Sequence, residues 1–152
     1  MKLSSTAFKD GDVIPTRFTC DGENLSPPLQ WSRPPKTAKS FALVCEDPDA
    51  PGGNFMHWGI YDIPAGWSSL PEGATPVPLD PAINEAINDF HNRGYGGPCP
   101  PHDRGAHRYQ FHLWALGVER LNLPANPTCA ELKREARRQA VADATLQGVY
   151  ER

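Results

Sequence analysis

No apolar run in this sequence approaches the ~18 residues of a membrane-spanning helix, and hydrophobic residues make up only 39% of it. A helical membrane protein is excluded. Residues 1–12 lack the apolar core of a secretory signal, so no signal peptide is expected. Charge of one sign is scarce too. Lys and Arg number 15 against 18 Asp and Glu, a formal net charge of −3. A protein that lives on nucleic-acid phosphates is usually basic, and so is a polybasic membrane-surface protein. Neither class fits. Cysteine is sparse: Cys20, Cys45, Cys99 and Cys129 stand 25, 54 and 30 residues apart. They form no C-x-x-C zinc or redox pair. Together these absences predict a soluble, cytoplasmic protein with free thiols.

What is present in excess is proline and glycine. The chain has 17 Pro and 13 Gly in 152 residues, about a fifth of the total against a usual share of roughly 12%. That level is below what marks low-complexity disorder. Four Trp, six Phe and four Tyr supply a core. The combination predicts short strands joined by stiff loops. The length predicts one domain over residues 1–152. A chain of this size buries roughly 70% of its unfolded surface, so it needs neither disulfide nor metal to fold.

Along the chain, Phe41 to Cys45 is a continuous apolar run and reads as a buried strand, with Cys45 as core packing. Pro48 and Pro51 end it, because neither can donate to a ladder. Phe55 to Ile63 resumes as a strand and stops at Pro64 and Gly66. Residues 67–81 are rich in turns, with prolines at 71, 76, 78 and 81. Ile83, Ile87 and Phe90 have helical spacing and predict a short helix. Residues 94–101 form a loop. In the strand that follows, His107, Tyr109, Phe111, Leu113 and Ala115 share one face. Near the C-terminus, Thr128 with Glu131 makes a capping box. Leu132, Ala136, Ala140 and Ala144 extend an apolar stripe from it, which predicts a helix running to a stop at Gly148. Lys133, Arg134, Arg137 and Arg138 lie off that stripe, on a solvated face balanced by acidic neighbours. A docking surface is the sharper alternative.

Two irregular segments concentrate unusual residues, Asp47 to His57 and Gly94 to Tyr109. Each joins prolines, glycines, carboxylates and a histidine at a strand start. Proline stiffens such a loop, and a stiff backbone suits a preorganised site. Gly96, Gly97 and Gly105 permit close approach, and their amides form a concavity fit for an anion. His57 and His107 add donors, and Tyr109 adds a hydroxyl. Asp47 and Asp49 fit if one orients a histidine, Asp47 to His57, and the other pairs with a cation. Arg108 points away from its strand neighbours and pairs with a carboxylate of the Asp47 loop. A ligand carrying phosphate and amine suits this mixture.

The runs Asp47-Pro48-Asp49-Ala50-Pro51, His57-Trp58 and Gly105-Ala106-His107-Arg108-Tyr109 resemble the signature blocks of the phosphatidylethanolamine-binding protein family, in order and at suitable spacing. Tyr95-Gly96-Gly97-Pro98-Cys99-Pro100-Pro101 resembles its bacterial, Raf-kinase-inhibitor-like branch. The resemblance covers nearly the whole chain, including residues 20–29. It implies a mostly-β fold, a large antiparallel sheet packed on a smaller one, with a C-terminal helix. It implies a non-catalytic binding protein with a small surface pocket for anionic, phosphate-bearing ligands, such as a phospholipid head group. The implied ligand-binding residues are Asp47, Asp49, Ala50, Pro51, His57, Gly97, Pro100, Pro101, His107 and Tyr109. No cofactor and no catalytic residue are implied. A homodimer is implied as well. The alternative is a kinase or protease inhibitor that acts through protein contact.

Two enzyme readings compete. Cys99 as nucleophile with a histidine base has every residue type nearby, but flanking prolines deny it the helix N-terminus that usually activates a thiol. A metal site from His57, His102, His107 and Asp47 lacks a tight H-x-x-x-H pair. His112 reads as buried or interfacial, and His91 and His102 as loop residues without a role.

Overall fold

The computed structural model describes residues 1–74 and 80–152. Pro76 and Pro78 of the turn-rich stretch lie outside the described residues. Strands β1 (Lys2–Ser4), β2 (Leu29–Ser32) and β5 (Ser69–Leu70) form a small antiparallel sheet in the order β1-β2-β5. Strands β3 (Ser40–Asp47), β4 (Phe55–Pro64), β6 (Asn84–Glu85), β7 (His107–Leu116) and β8 (Ala140–Tyr150) form a large one in the order β6-β4-β3-β7-β8. One helix, α1 (Cys129–Gln139), sits on the large sheet. Among the described residues, no helix is long and apolar enough to cross a membrane.

The expected mostly-β, two-sheet fold is what forms. Central strand β3 is buried along its whole length, as its unbroken apolar run predicts. Its inward residues Phe41, Leu43 and Cys45 join Phe111 and Leu113 of β7 against Leu29, Trp31 and Leu70 of the small sheet. The outward residues Ala42 and Val44 join Met56 and Trp114 beneath Cys129, Leu132 and Ala136 of α1. Full burial of a side chain such as Leu132 is worth about 1.5–3 kcal/mol. Helix and sheet approach closely at Gly59, where a Cβ would lie 2.8 Å from the Cys129 sulfur and 2.9 Å from Leu132.

The capping box is present: Thr128 Oγ1 accepts from Glu131 N at 3.1 Å, and Thr128 N donates to the Glu131 carboxylate at 3.0 Å. The helix nevertheless ends at Gln139 rather than running to Gly148. Ala140 and Ala144 lie on β8, paired with Leu116 and Leu113. The alanines fit a period of two as well as a period of four. The open edge of β7, with its unpaired amides and carbonyls, decides between them. Gly148 is a packing residue: a Cβ there would meet the Ile14 side chain at 2.4 Å.

The helix expected from Ile83, Ile87 and Phe90 does not form either. Its amides are taken by neighbours instead: Ala86 N donates to Gly59 O, and Ile87 N to Pro127 O. Long-range ladder bonds outcompete a short, Asn-rich helix.

The thiols need a further correction. Cys20 and Cys99 form a disulfide, with Cα atoms 5.4 Å apart. Only Cys45 and Cys129 are free thiols, and both are buried. The long separations hid the pair, because spacing in the chain carries no information on proximity across a loop-rich fold.

Candidate functional site

The ends of β3, β4 and β7 converge at one rim of the large sheet. Asp47 is the last residue of β3, Phe55 the first of β4 and His107 the first of β7. Asp47 pairs with Phe55 across the β3–β4 ladder. Phe55 and His57 share a strand face by alternation and both line the cavity, and the ladder's register shift between Cys45 and Glu46 leaves His57 as the extra residue between Met56 and Trp58. The Asp47–Pro51 loop and residues 99–101 close the sides. The result is a cavity of about 220 Å³. Its polar lining is Asp47, His57, His107 and Tyr109, and its apolar lining includes Ala50, Pro51, Pro100, Pro101, Phe55 and Phe90.

Asp47 is buried, and both carboxylate oxygens are engaged. Oδ2 lies 2.7 Å from His107 Nδ1, and Oδ1 accepts from Asp49 N at 2.7 Å. The second bond closes an Asx turn that shapes the loop after β3. A carboxylate only accepts, so His107 carries hydrogen on Nδ1 and turns Nε2 toward the cavity it lines.

His57 is oriented by a different group from the one expected. Its Nδ1 lies 2.6 Å from the Gly96 carbonyl, and Gly96 N donates back to His57 O at 3.0 Å. Asp47 therefore orients His107, not His57. The His57 ring stands edge-on to Phe55, Phe90 and Tyr109 at centroid distances of 5.0, 5.3 and 5.3 Å. Burial lowers its pKa below the ordinary histidine value, against the opposing pull of the Gly96 carbonyl and Asp47. The ring is neutral near pH 7. Burial, reinforced by the Asp47 charge, raises the Tyr109 pKa, so its hydroxyl stays a donor.

Asp49 does not line the cavity. It grips Arg108 three ways: Oδ2 accepts from Arg108 N and Nε, and Oδ1 from Nη2, each at 2.9 Å. The expected ion pair between Arg108 and this loop is thus formed, with Asp49 as the partner. The hydrogen bonds from Arg108 hold Asp49 down at about 2.

Gly97 does not line the cavity either. Its amide donates to Asn24 Oδ1 at 2.8 Å, and a Cβ would meet Phe18 O at 2.4 Å. With Gly96 N bonded to His57 O and Gly97 N to Asn24, two of the three glycine amides expected to cradle an anion are engaged within the protein. Gly96 and Gly97 serve close packing instead, while Gly105 holds a left-handed backbone at φ 85° with open space around it. Cys99 lines the cavity as half of a disulfide, so it offers no thiolate for the nucleophile reading.

Further ties hold this wall. The Tyr95 hydroxyl donates to Phe18 O at 2.7 Å, Cys20 N to Pro98 O at 3.1 Å and Arg152 Nε to Pro100 O at 2.8 Å. Sequence reasoning missed Phe55 and Phe90 as lining and Asn24 and Arg152 as supports. The hydropathy pattern marks Phe55 and Phe90 only as apolar, and nothing local marks the other two.

Larger grooves flank α1, and one is lined by Glu46, His112, Lys133 and Arg137. Glu46, Lys133, His112 and Thr145 of its lining are tied to one another. Glu46 accepts from Lys133 Nζ at 2.8 Å, from Asn54 at 2.9 Å and meets His112 Nε2 at 3.0 Å. His112 is thereby half-buried in a structural network. Among the described residues, no group of three His, Cys, Asp or Glu side chains converges to hold a metal ion.

Two antiparallel sheets with a pocket at one rim, walled by a proline loop, define a class of β fold. Comparison with known proteins places the chain within it. Residues 4–151 match the family described as "Phosphatidylethanolamine-binding protein", and the chain belongs to that family. It is 43% identical over 152 residues to a "UPF0098 protein" of Aquifex aeolicus, covering 100% of this chain and 89% of the relative. It is 38% identical to the "Putative lipoprotein LppC" of Mycobacterium tuberculosis, covering 99% of this chain and 72% of the relative. The crystal structure of Escherichia coli YbcL superposes with a TM-score of 0.94 at 35% identity, covering 99% and 98% of the two chains. A carboxypeptidase Y inhibitor, solved with its cognate proteinase, shares the fold at a TM-score of 0.61 and 19% identity, covering 99% and 82%.

Proposed function

We propose that this chain, as one domain, is a non-catalytic binding protein whose rim pocket takes a small anionic, phosphate-bearing ligand. One observation carries the reading. The Asp47–His107 pair at 2.7 Å holds an imidazole edge at the pocket, beside Tyr109 and within stiff proline walls. The buried donors are preoriented, so little ordering cost attends binding. The proposed contacts are His57, His107 and Tyr109, with Ala50, Pro51, Pro100 and Pro101 as walls. Asp47 orients His107, while Asp49 and Gly97 shape the loops.

The test is an amide NMR titration with inorganic phosphate and with phosphoethanolamine, beside His107→Ala. Shifts confined to residues 47–57 and 94–109 in the parent, and lost in the variant, are expected. No shift at millimolar ligand would overturn the reading.

A second reading, inhibition of a kinase or protease through protein contact, draws support from the fold shared with the carboxypeptidase Y inhibitor. Inhibition that survives His107→Ala and is indifferent to free phosphate would favour it. The disulfide favours an oxidising compartment over the cytoplasm first expected. Homodimer formation, implied by the family, predicts a sedimenting mass near twice 16.7 kDa.

A further inference from the structure

We infer that the pocket selects a phosphomonoester that still carries one P–O–H, and rejects phosphodiesters and sulfate. The inference rests on the phosphate-pocket reading above and sharpens it to a protonation state and an ester class.

The argument begins with His57. Its Nδ1 lies 2.6 Å from the Gly96 carbonyl, which can only accept. The hydrogen of the neutral ring is therefore on Nδ1, and Nε2 is left with a lone pair. His57 is 3% exposed and lines the cavity, so that lone pair faces the ligand rather than bulk water. The groups favouring a charged ring are the Gly96 and Gly97 carbonyls and the carboxylates of Asp47 and Asp89, and burial outweighs them. An oxyanion without a hydrogen would set its own lone pairs against Nε2. A ligand O–H satisfies it.

Charge points the same way. Among the described residues, no lysine or arginine lines the cavity, while the Asp47 carboxylate does. The nearby Arg152 is engaged by Pro100 O and Asp21. A dianion would bring two buried charges against one carboxylate with at most His107 to offset them. A monoanion needs a single countercharge, which a protonated His107 supplies through Nε2. If His107 is neutral, its Nε2 is a second acceptor and the demand for a ligand hydrogen grows. The Tyr109 hydroxyl donates to an ionised oxygen in both cases.

Phosphomonoesters meet these conditions. Their second ionisation falls near pH 6, so a share of the molecules keeps one O–H near neutrality. Sulfate and phosphodiesters have no such hydrogen. An intact phospholipid head group is a diester, and on this argument it is excluded where the free phosphoethanolamine is admitted. A site whose buried groups bond a ligand hydroxyl discriminates strongly against an analogue that lacks it.

The experiment is an NMR titration of the folded chain at about pH 6, with inorganic phosphate, phosphoethanolamine, glycerophosphoethanolamine and sulfate in parallel. Phosphate and phosphoethanolamine are expected to bind at least about tenfold more tightly than glycerophosphoethanolamine or sulfate. In His57→Gln, an amide that can turn either its donor or its acceptor to the cavity replaces Nε2. The discrimination is expected to narrow to within about threefold. Diester or sulfate binding within about threefold of the monoester in the parent protein overturns the inference and leaves the pocket reading intact. Absence of shifts with all four ligands overturns the pocket reading, and this inference with it. The ligand series in the parent protein decides the matter even where the variant does not fold.

Discussion

Asp47 bonds His107 and not His57: the carboxylate Oδ2 lies 2.7 Å from His107 Nδ1, while His57 Nδ1 is held by the Gly96 carbonyl. The two pocket histidines are thus set by unlike partners, one anionic and one neutral. Asp47→Asn separates their roles. The amide carries no charge, so His107 loses the anionic partner that orients its Nδ1–H. Phosphate affinity measured calorimetrically is expected to fall about tenfold. The variant is also expected to be less stable by about 1–3 kcal/mol, because a buried, doubly bonded acceptor has been altered. Unchanged phosphate affinity would show that His107 needs no charged partner.

The partner of His57 predicts its titration. Burial lowers its pKa, so the ring is neutral in the folded protein at pH values where an unfolded histidine begins to charge. Stability contributed by this neutral ring is complete above the unfolded value of about 6.5 and is lost as pH falls below it. Nitrogen-15 spectra of the imidazoles are expected to show His57 as the Nδ1–H tautomer at pH 7. An Nε2–H tautomer would contradict the bond to Gly96.

Much of this architecture was readable from the residues. The strand Phe41 to Cys45, the alternation from His107 to Ala115 and the Thr128 capping box report local physics, and each forms as expected. The two irregular segments that the sequence singles out both contribute residues to one rim cavity. What failed was decided by distant partners. Ala140 and Ala144 fit two periods equally, and only the edge of β7 selects the strand. Cys20 and Cys99 meet because the loop of residues 94–101 folds back onto the segment after β1. Asp47 was assigned to His57 because they flank one loop, whereas the sheet register delivers His107 to it. Gly97 was read as a ligand amide, but its close neighbours Phe18 and Asn24 come from far earlier in the chain.

On the opposite face, Glu46 gives a test that leaves the pocket aside. Burial raises its pKa, yet hydrogen bonds from His112, Lys133 and Asn54 overcome this and hold it at about 2. A depressed carboxylate stabilises the fold above its unfolded value of about 4.3, and that contribution fades as pH falls through the folded value. Acid unfolding is therefore expected to steepen from about pH 4.5 toward 2, with Glu46 accounting for up to about 3 kcal/mol. Glu46→Gln should flatten that slope in denaturant titrations. Lys133→Met should cost about 3 kcal/mol or more at pH 7, because it strips a buried carboxylate of its close cation. A Lys133→Met protein as stable as the parent would mean that water reaches Glu46.

The Cys20–Cys99 bond closes a loop spanning 79 positions. Chain-entropy reasoning gives such a crosslink about 4–5 kcal/mol of stabilisation, chiefly by restricting the unfolded chain. For a domain of this size, reduction is then expected to lower the melting temperature by roughly 10–15 °C. The pocket should outlast the bond under mild conditions. Tyr95 to Phe18, Gly97 to Asn24 and Arg152 to Pro100 hold the same wall without it. Calorimetry with and without a dithiol reductant, beside Cys20→Ser/Cys99→Ser, measures the first effect. Phosphate titration of the double variant at 25 °C measures the second, with retained amide shifts expected in residues 47–57. Loss of melting temperature together with loss of phosphate shifts would mean that the disulfide, rather than the hydrogen-bonded wall, keeps the pocket formed.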